Sequence, residues 1–230
     1  YGFSAYCSGA DIRDIKCKSK VNPEIVLWGD SHAMHLGKAL NKAFPNMGLH
    51  QLTLSSCPPV PGYQQAKRKA VVACENYNSQ VFEYLTRDLS PHVKIVVLSS
   101  SKSIANPELK KSVRRAVTKM QEKGLTVILV SSTPRFEGSE QCITLALRGE
   151  GDIGDCSFLL SEASNLGDFK SLEELANSLD IQFINLTNFM CFEDLCKMEM
   201  NEKLVLRDVG HLTNEIQDEL SLFLKKKIDF

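Results

Sequence analysis

Five short apolar runs recur along the chain, and each is followed by a stretch whose apolar residues have helical spacing. We predict strands at residues 24–27, 49–54, 94–98, 125–130 and 181–185. Strands that alternate with helices and consist almost wholly of apolar residues are typical of a parallel sheet covered on both faces. The pattern therefore predicts an α/β fold: a three-layer α/β/α sandwich with a flavodoxin-like, five-stranded parallel sheet.

Helices are predicted between these strands from apolar spacing and from start and stop signals. The predicted segments are 33–44, 66–88, 106–123, 171–179 and a last helix that begins near residue 213. Pro45 ends the first of them, since proline lacks the amide that a helix needs. Asn106 followed by Pro107 starts the third as an N-cap and a first-turn proline, and Gly124 ends it.

The tripeptide Gly29-Asp30-Ser31 lies between the first predicted strand and the first predicted helix. Sites in such folds lie outside the carboxyl ends of the strands, so we expect Ser31 at that edge, with Gly29 and Asp30 holding the turn. The amides of a helix start favour an oxyanion there. Near the C-terminus, Asp208 and His211 supply a carboxylate and an imidazole three positions apart. Together with Ser31 they are the groups needed for acyl transfer through a serine ester, and we predict that these three are catalytic.

Eight cysteines occur as four couples that are close in sequence, within loop-like segments. We interpret them by proximity as four disulfides: Cys7–Cys17, Cys57–Cys74, Cys142–Cys156 and Cys191–Cys196. Disulfides indicate an extracytoplasmic compartment, whereas buried free thiols in a cytosolic protein are the alternative. The cysteine and histidine spacings match no zinc site, so we expect no metal.

Two segments fall outside the alternating pattern. Residues 1–22 are predicted to be an N-terminal arm that precedes a catalytic domain at 23–230. Residues 133–166, rich in Gly, Asp and Glu, are predicted to be a long irregular insertion, either a lid over an acceptor groove or a surface loop. No leader is visible, and no apolar stretch is long enough to span a bilayer. Since the disulfides indicate an exported domain, we expect a cleaved signal or a membrane region upstream.

Charge gives no reason to expect nucleic acid or an anionic membrane as a partner. The chain has 27 basic and 28 acidic residues, a formal net charge of −1. Such a balance produces no strong field of one sign.

Three motifs carry a resemblance to a known family. They are Gly-Asp-Ser-His at 29–32 after an apolar strand, Cys-Pro-Pro at 57–59, and Asp-x-x-His-Leu-Thr at 208–213. The chain resembles the SGNH hydrolase superfamily, also called GDSL esterases. It is most similar to the periplasmic SGNH domains fused to acyltransferase family 3 membrane proteins.

The resemblance implies an enzyme: a serine-dependent O-acyltransferase, of O-acetyl groups. The acceptor would be a sugar hydroxyl of a bacterial surface polysaccharide, lipopolysaccharide O-antigen or peptidoglycan. The domain would lie on the extracytoplasmic, periplasmic face of the inner membrane, C-terminal to a membrane acyltransferase-3 domain. That domain would relay the acyl group from acetyl-CoA, so no cofactor is expected here. The alternatives are a secreted GDSL-type carbohydrate esterase and a non-catalytic glycan-binding domain.

The oxyanion hole departs from the superfamily pattern. Ser55-Ser56 stands where the second block usually has a glycine, and Ser99-Ser100-Ser101 stands where the third block usually has an asparagine. In place of the usual donors we expect the Ser31 amide, an amide near Ser56, and a hydroxyl among Ser99, Ser100 and Ser101. Trp28 is expected either to line the site or to fill the core.

Four further histidines are interpreted as structural. His32 and His35 are three positions apart, but no third ligand is apparent, so we expect them to pack or to face solvent. His50 and His92 are expected at the surface or at a strand edge.

Overall fold

A five-stranded parallel sheet forms the centre of the molecule, which confirms the predicted α/β fold. The computed structural model describes residues 2–62, 69–87, 91–101, 104–105 and 107–229. The sheet order is β2-β1-β3-β4-β6, with all pairings parallel. The strands are β1 (Ile25–Gly29), β2 (Leu49–Thr53), β3 (Ile95–Ser99), β4 (Thr126–Val130) and β6 (Gln182–Ile184).

Helices cover both faces of this sheet and complete the three layers. They are α1 (Ser31–Met34), α2 (Gly37–Ala43), α3 (Lys69–Thr86), α4 (Pro107–Glu122), α5 (Ser139–Leu147), α6 (Leu166–Asn177), α7 (Thr187–Met190) and α8 (Gln217–Lys227). Among the described residues, no helix is long and apolar enough to cross a membrane.

The apolar strands divide their side chains between two cores because successive residues of a strand point to opposite faces. Ile25 and Leu27 of β1 pack with α2 and α8, whereas Val26 and Trp28 pack with α3 and α4. Every residue of β1, β2 and β3 is buried. Both faces therefore exclude water, as the runs of apolar residues predicted.

Some helix boundaries differ from the predictions. The predicted helix 33–44 is two helices, α1 and α2, and it begins earlier, at Ser31, because the Asp30 side chain caps it. The last helix begins at Gln217 rather than near 213, and the predicted helix 171–179 begins at Leu166. Residues 66–68 and 88 of the second predicted helix, and the predicted N-cap Asn106, lie outside the described residues.

The segment 133–166 is not irregular, so that prediction is wrong. It contains α5, a short strand β5 (Ser157–Leu159) and 3₁₀ turns at Ile153–Asp155 and Leu160–Glu162. β5 pairs antiparallel with β8 (Leu195–Lys197), and β8 pairs with β7 (Cys191–Phe192). A further pair comprises β9 (Glu199–Met200) and β10 (Lys203–Leu204). These strands are too short to show an alternating pattern in the sequence.

Four disulfides join the eight cysteines in the pairs expected from their proximity: Cys7–Cys17, Cys57–Cys74, Cys142–Cys156 and Cys191–Cys196. The first pair closes the N-terminal arm, which lies against β2 through bridges from Ser8 to Thr53 and from Lys18 to His50. His50 is consequently fully buried, although β2 is an edge strand. Of the two expected positions, His50 therefore has the strand edge but not the surface.

Candidate active site

The turn after β1 requires a glycine and places Ser31 at the carboxyl edge of the sheet. A Cβ added at Gly29 would lie 1.8 Å from the backbone oxygen of Ser99, at the end of the neighbouring strand β3. The absence of a side chain thus lets the turn approach β3. Ser31 follows as the first residue of α1 and is half-buried.

The Asp30 carboxylate ties this turn to the loop after β3. It is fully buried and accepts from the amide of His32 (2.9 Å). It also accepts from the hydroxyl of Ser100 (2.9 Å) and from the amide (2.9 Å) and hydroxyl (2.8 Å) of Ser101. Asp30 thus has the structural role expected of it. The Ser100 hydroxyl donates to Asp30, so the prediction that this hydroxyl is an oxyanion donor is corrected.

The Asp208–His211 segment is a tight turn closed by the aspartate side chain. Oδ1 of Asp208 accepts from the amides of Gly210 (3.0 Å) and His211 (2.8 Å). Nδ1 of His211 lies 2.8 Å from Oδ1 and 2.9 Å from Oδ2 of the same carboxylate. Burial raises the pKa of Asp208, but the two amides and the imidazole outweigh burial, and the net pKa is lowered.

Ser31 and His211, 180 positions apart, meet at this edge. His211 Nε2 lies 2.9 Å from Ser31 Oγ, within hydrogen-bond reach. Serine, imidazole and carboxylate therefore form a continuous chain of hydrogen bonds. In this arrangement the imidazole can take the serine proton while the carboxylate orients the ring.

Two more imidazoles lie behind the His211 ring. The His32 ring centroid is 4.8 Å from that of His211, and the His35 centroid is 5.2 Å from that of His32. Burial, aided by the charge of neighbouring groups, lowers the pKa of His32 to about 3 and that of His35 well below its usual value. Both rings therefore pack as neutral groups, in agreement with the structural interpretation.

A family model described as "SGNH domain (fused to AT3 domains)" matches residues 6–225. The chain belongs to the SGNH domain family. This confirms the resemblance of the three sequence motifs, which all lie within the matched region.

The chain is also similar to solved structures. The periplasmic domain of the lipopolysaccharide acetyltransferase of Salmonella ser. Paratyphi A superposes with a TM-score of 0.72 at 18% identity, over 92% of this chain and 85% of that one. A peptidoglycan O-acetylesterase structure reaches a TM-score of 0.49 at 11% identity, over 79% of this chain and 46% of that one. A search of curated proteins finds no match for this chain.

Trp28 and Ser99 do not face the candidate site of this SGNH domain. Trp28 is fully buried, and its indole N–H donates to Oδ1 of Asn78 (2.9 Å). The Ser99 hydroxyl is enclosed at the end of β3, with no hydrogen-bond partner among the described residues. Trp28 therefore fills the core, the second of its two expected positions, rather than lining the site, and the predicted donor role of the enclosed Ser99 hydroxyl is corrected.

Ser56 lies in a turn that suits the glycine of the superfamily pattern. Its φ is +60°, in the left-handed region that favours glycine. The turn follows β2, which pairs with β1 up to Thr53 beside Gly29. In the described part of the chain, neither the Ser56 amide nor the Ser31 amide has an acceptor. Both amides are free to donate to an oxyanion.

Arg135 is a site residue that the sequence reasoning missed. It lies five positions after β4, and a guanidinium nitrogen donates to the Ser101 backbone oxygen (3.2 Å). The signal was present, because loops at the carboxyl ends of parallel strands hold the ligand-binding residues. No cluster of three metal-ligating side chains occurs among the residues the structure describes.

Proposed function

We propose that this SGNH domain is the catalytic part of an O-acyltransferase that moves an acetyl group through a Ser31 ester onto a sugar hydroxyl. The acceptor is a bacterial surface polysaccharide, lipopolysaccharide O-antigen or peptidoglycan. The observation that carries the proposal is the hydrogen-bonded chain from Ser31 through His211 to Asp208. Ser31 lies in the four-residue helix α1, and His211 lies in a turn 180 positions away. Contact between two such distant groups favours a catalytic over a purely structural role.

In the first step His211 removes the Ser31 hydroxyl proton as Oγ attacks the carbonyl carbon of the acyl donor. Asp208 accepts from Nδ1–H, which keeps Nε2 as the acceptor and stabilises the imidazolium that forms. The lowered pKa of Asp208 keeps this carboxylate ionised well below neutral pH. The protonated His211 then returns the proton to the leaving group, and a serine ester remains.

The oxyanion that forms in this step would accept hydrogen bonds from the amides of Ser31 and Ser56. Both are free donors at neighbouring strand ends, and donors already in place need no reorganisation during the reaction. The hydroxyls of Ser100 and Ser101 are engaged by Asp30, so the third donor of the superfamily pattern has no replacement there.

In the second step a sugar hydroxyl attacks the serine ester. His211 takes the hydroxyl proton and then returns it to Ser31 Oγ, so that the acylated sugar leaves and the free serine is restored. Transfer exceeds hydrolysis only when the sugar hydroxyl is held near the ester in place of water. A binding site for the acceptor beside Ser31 is therefore part of the proposal.

The proposed location is the periplasmic side of the inner membrane. The four disulfides support an oxidising compartment. The family description, a domain fused to AT3 domains, supports an acyltransferase-3 membrane domain as the partner. That partner would pass the acyl group on from acetyl-CoA, and the domain itself would bind no cofactor. The name of the Salmonella structure, a lipopolysaccharide acetyltransferase, supports the same assignment.

The test combines an aryl ester donor with candidate acceptors. The chain is incubated with para-nitrophenyl acetate and either O-antigen oligosaccharides or peptidoglycan fragments, and the sugars are analysed by mass spectrometry. We expect acetylated sugar with the unchanged chain and with the exposed-serine control Ser161→Ala, but none with Ser31→Ala. Release of acetate without any sugar product would show an esterase instead, and transfer by Ser31→Ala would overturn the mechanism.

A further inference from the structure

The backbone at Arg135 is held on both sides. Its amide donates to Oδ1 of Asn165 (3.0 Å), and its carbonyl accepts from the amide (2.9 Å) and the hydroxyl (3.3 Å) of Ser164. The next residue, Phe136, is fully buried and stacks on Phe158 with the ring centroids 5.1 Å apart. A side chain that starts from so constrained a backbone is already positioned before any ligand arrives.

The guanidinium of Arg135 lies between the loop after β3 and the turn that carries His211. One terminal nitrogen donates to the Ser101 backbone oxygen (3.2 Å). Nε lies 3.5 Å from the point that a Cβ at Gly210 would occupy, and Cε1 of His32 lies 3.1 Å from the same point. Gly210 directly precedes His211, and His32 directly follows Ser31. The positive charge therefore lies near Gly210 and His32, the sequence neighbours of His211 and Ser31.

Within the described ranges of the chain, this charge has no counter-ion of its own. No described carboxylate lies within ion-pair distance of Arg135, whereas Arg207 on the same rim pairs with Asp208 at 3.3 Å. The charge of Arg135 adds to burial and to His211 in lowering the pKa of His32. Arg135 is half-buried, and a partly buried cation is costly unless an anion accompanies it.

We propose that Arg135 binds a carboxylate or phosphate group of the sugar acceptor, so that this domain selects acidic glycans. A guanidinium presents five N–H donors in a fork that matches either group with two parallel bonds, and Ser101 engages only one nitrogen. An anionic group held there places a hydroxyl of the same or the neighbouring sugar beside the Ser31 ester. The role as an acceptor site rests on the proposed function, whereas binding of the anion does not.

The experiment is an NMR titration of the unchanged chain, Arg135→Gln, Arg135→Lys and the control Arg115→Gln, which removes an exposed arginine of α4. The probes are methyl glucoside, its 6-phosphate ester and methyl glucuronide. They differ only at the sixth carbon, which carries a hydroxyl or a phosphate or is a carboxylate. We expect at least one anionic sugar to bind the unchanged chain and Arg115→Gln about tenfold more tightly than methyl glucoside does. Arg135→Gln should lose about tenfold of that affinity, which removes the preference over methyl glucoside, and Arg135→Lys should lose less. Whichever anionic sugar binds identifies the group as carboxylate or phosphate.

The inference is overturned if neither anionic sugar binds, if all three sugars bind alike, or if Arg135→Gln binds the anionic sugars as the unchanged chain does. No acyl donor is present, so these outcomes do not depend on acyl transfer. A chain that shows Arg135-dependent binding but never acetylates a sugar would overturn only the proposed function.

With the donor para-nitrophenyl acetate added, the same sugars test the acceptor role. We expect the ratio of transfer to the anionic over the neutral sugar to fall toward one in Arg135→Gln. An equal loss for both sugars would show that Arg135 acts on the reaction centre rather than on the acceptor, which contradicts the inference.

Discussion

Replacement of Asp30 by asparagine should strongly destabilise the domain, although Asp30 takes no part in the proposed chemistry. Its carboxylate accepts from four donors: the amides of His32 and Ser101 and the hydroxyls of Ser100 and Ser101. A hydrogen bond to a charged group contributes about 1 kcal/mol more than a neutral one. With an NH₂ group in place of Oδ2, the Ser101 amide also loses its shorter bond (2.9 Å) and keeps only the longer one to Oδ1 (3.1 Å). Four weakened bonds give a loss of about 4 kcal/mol, a large part of the 5–15 kcal/mol typical of a domain.

Urea unfolding followed by circular dichroism at neutral pH, with the disulfides intact, measures this loss. The matched control is Asp11→Asn, since Asp11 is exposed and accepts from the Arg13 amide, and the control should lose less than about 1 kcal/mol. If Asp30→Asn unfolds at the same urea concentration as the unchanged chain, the four bonds do not hold the turn as argued.

Three other predictions concern the site and its surroundings. Asp208→Asn should lower kcat for para-nitrophenyl acetate hydrolysis on the order of 10⁴-fold, because the imidazole loses its orienting acceptor, and a loss under tenfold would contradict this. Gly29→Ala should lose about 3 kcal/mol or more in urea unfolding, since its Cβ would meet a backbone oxygen at 1.8 Å, whereas the uncrowded Gly167→Ala should not. Burial lowers the pKa of His32 and of His50 to about 3, so both remain neutral in the folded chain while they protonate near pH 6.5 when unfolded. The free energy of unfolding therefore keeps the whole contribution of these neutral histidines above pH 6.5. It should fall toward pH 3 by about 1.4 kcal/mol per pH unit for each histidine. A urea midpoint that stays constant between pH 7 and 5 would contradict this.

The parallel sheet could be predicted from the sequence because buried strands show themselves as apolar runs. The five predicted strands agree with the observed ones to within two residues at each end. Ser31 at the strand edge followed from topology alone, and the structure brings His211 and Asp208 to it. The role of these three residues as catalytic groups stays a prediction.

Side-chain direction could not be predicted, and the errors at the site arise from it. Trp28 and Ser100 both lie close to the turn that carries Ser31. The Trp28 side chain points into the core, whereas the Ser100 hydroxyl points toward Asp30. Arg135 has no motif around it, and its approach to Gly210 depends on the packing of the loop after β4. The strands β5 and β7 to β10 have only two or three residues each, which is too few for a periodic signal.

The most direct test of the serine-ester mechanism is to find the ester itself. The chain is mixed with para-nitrophenyl acetate, quenched in acid within the first turnovers, digested and mapped by mass spectrometry. We predict one acetyl group on the peptide that contains Ser31, absent from Ser31→Ala and transferred when an acceptor sugar is added before the quench. Steady turnover with no acetyl group on Ser31 at any quench time, together with full activity of Ser31→Ala, would contradict the account.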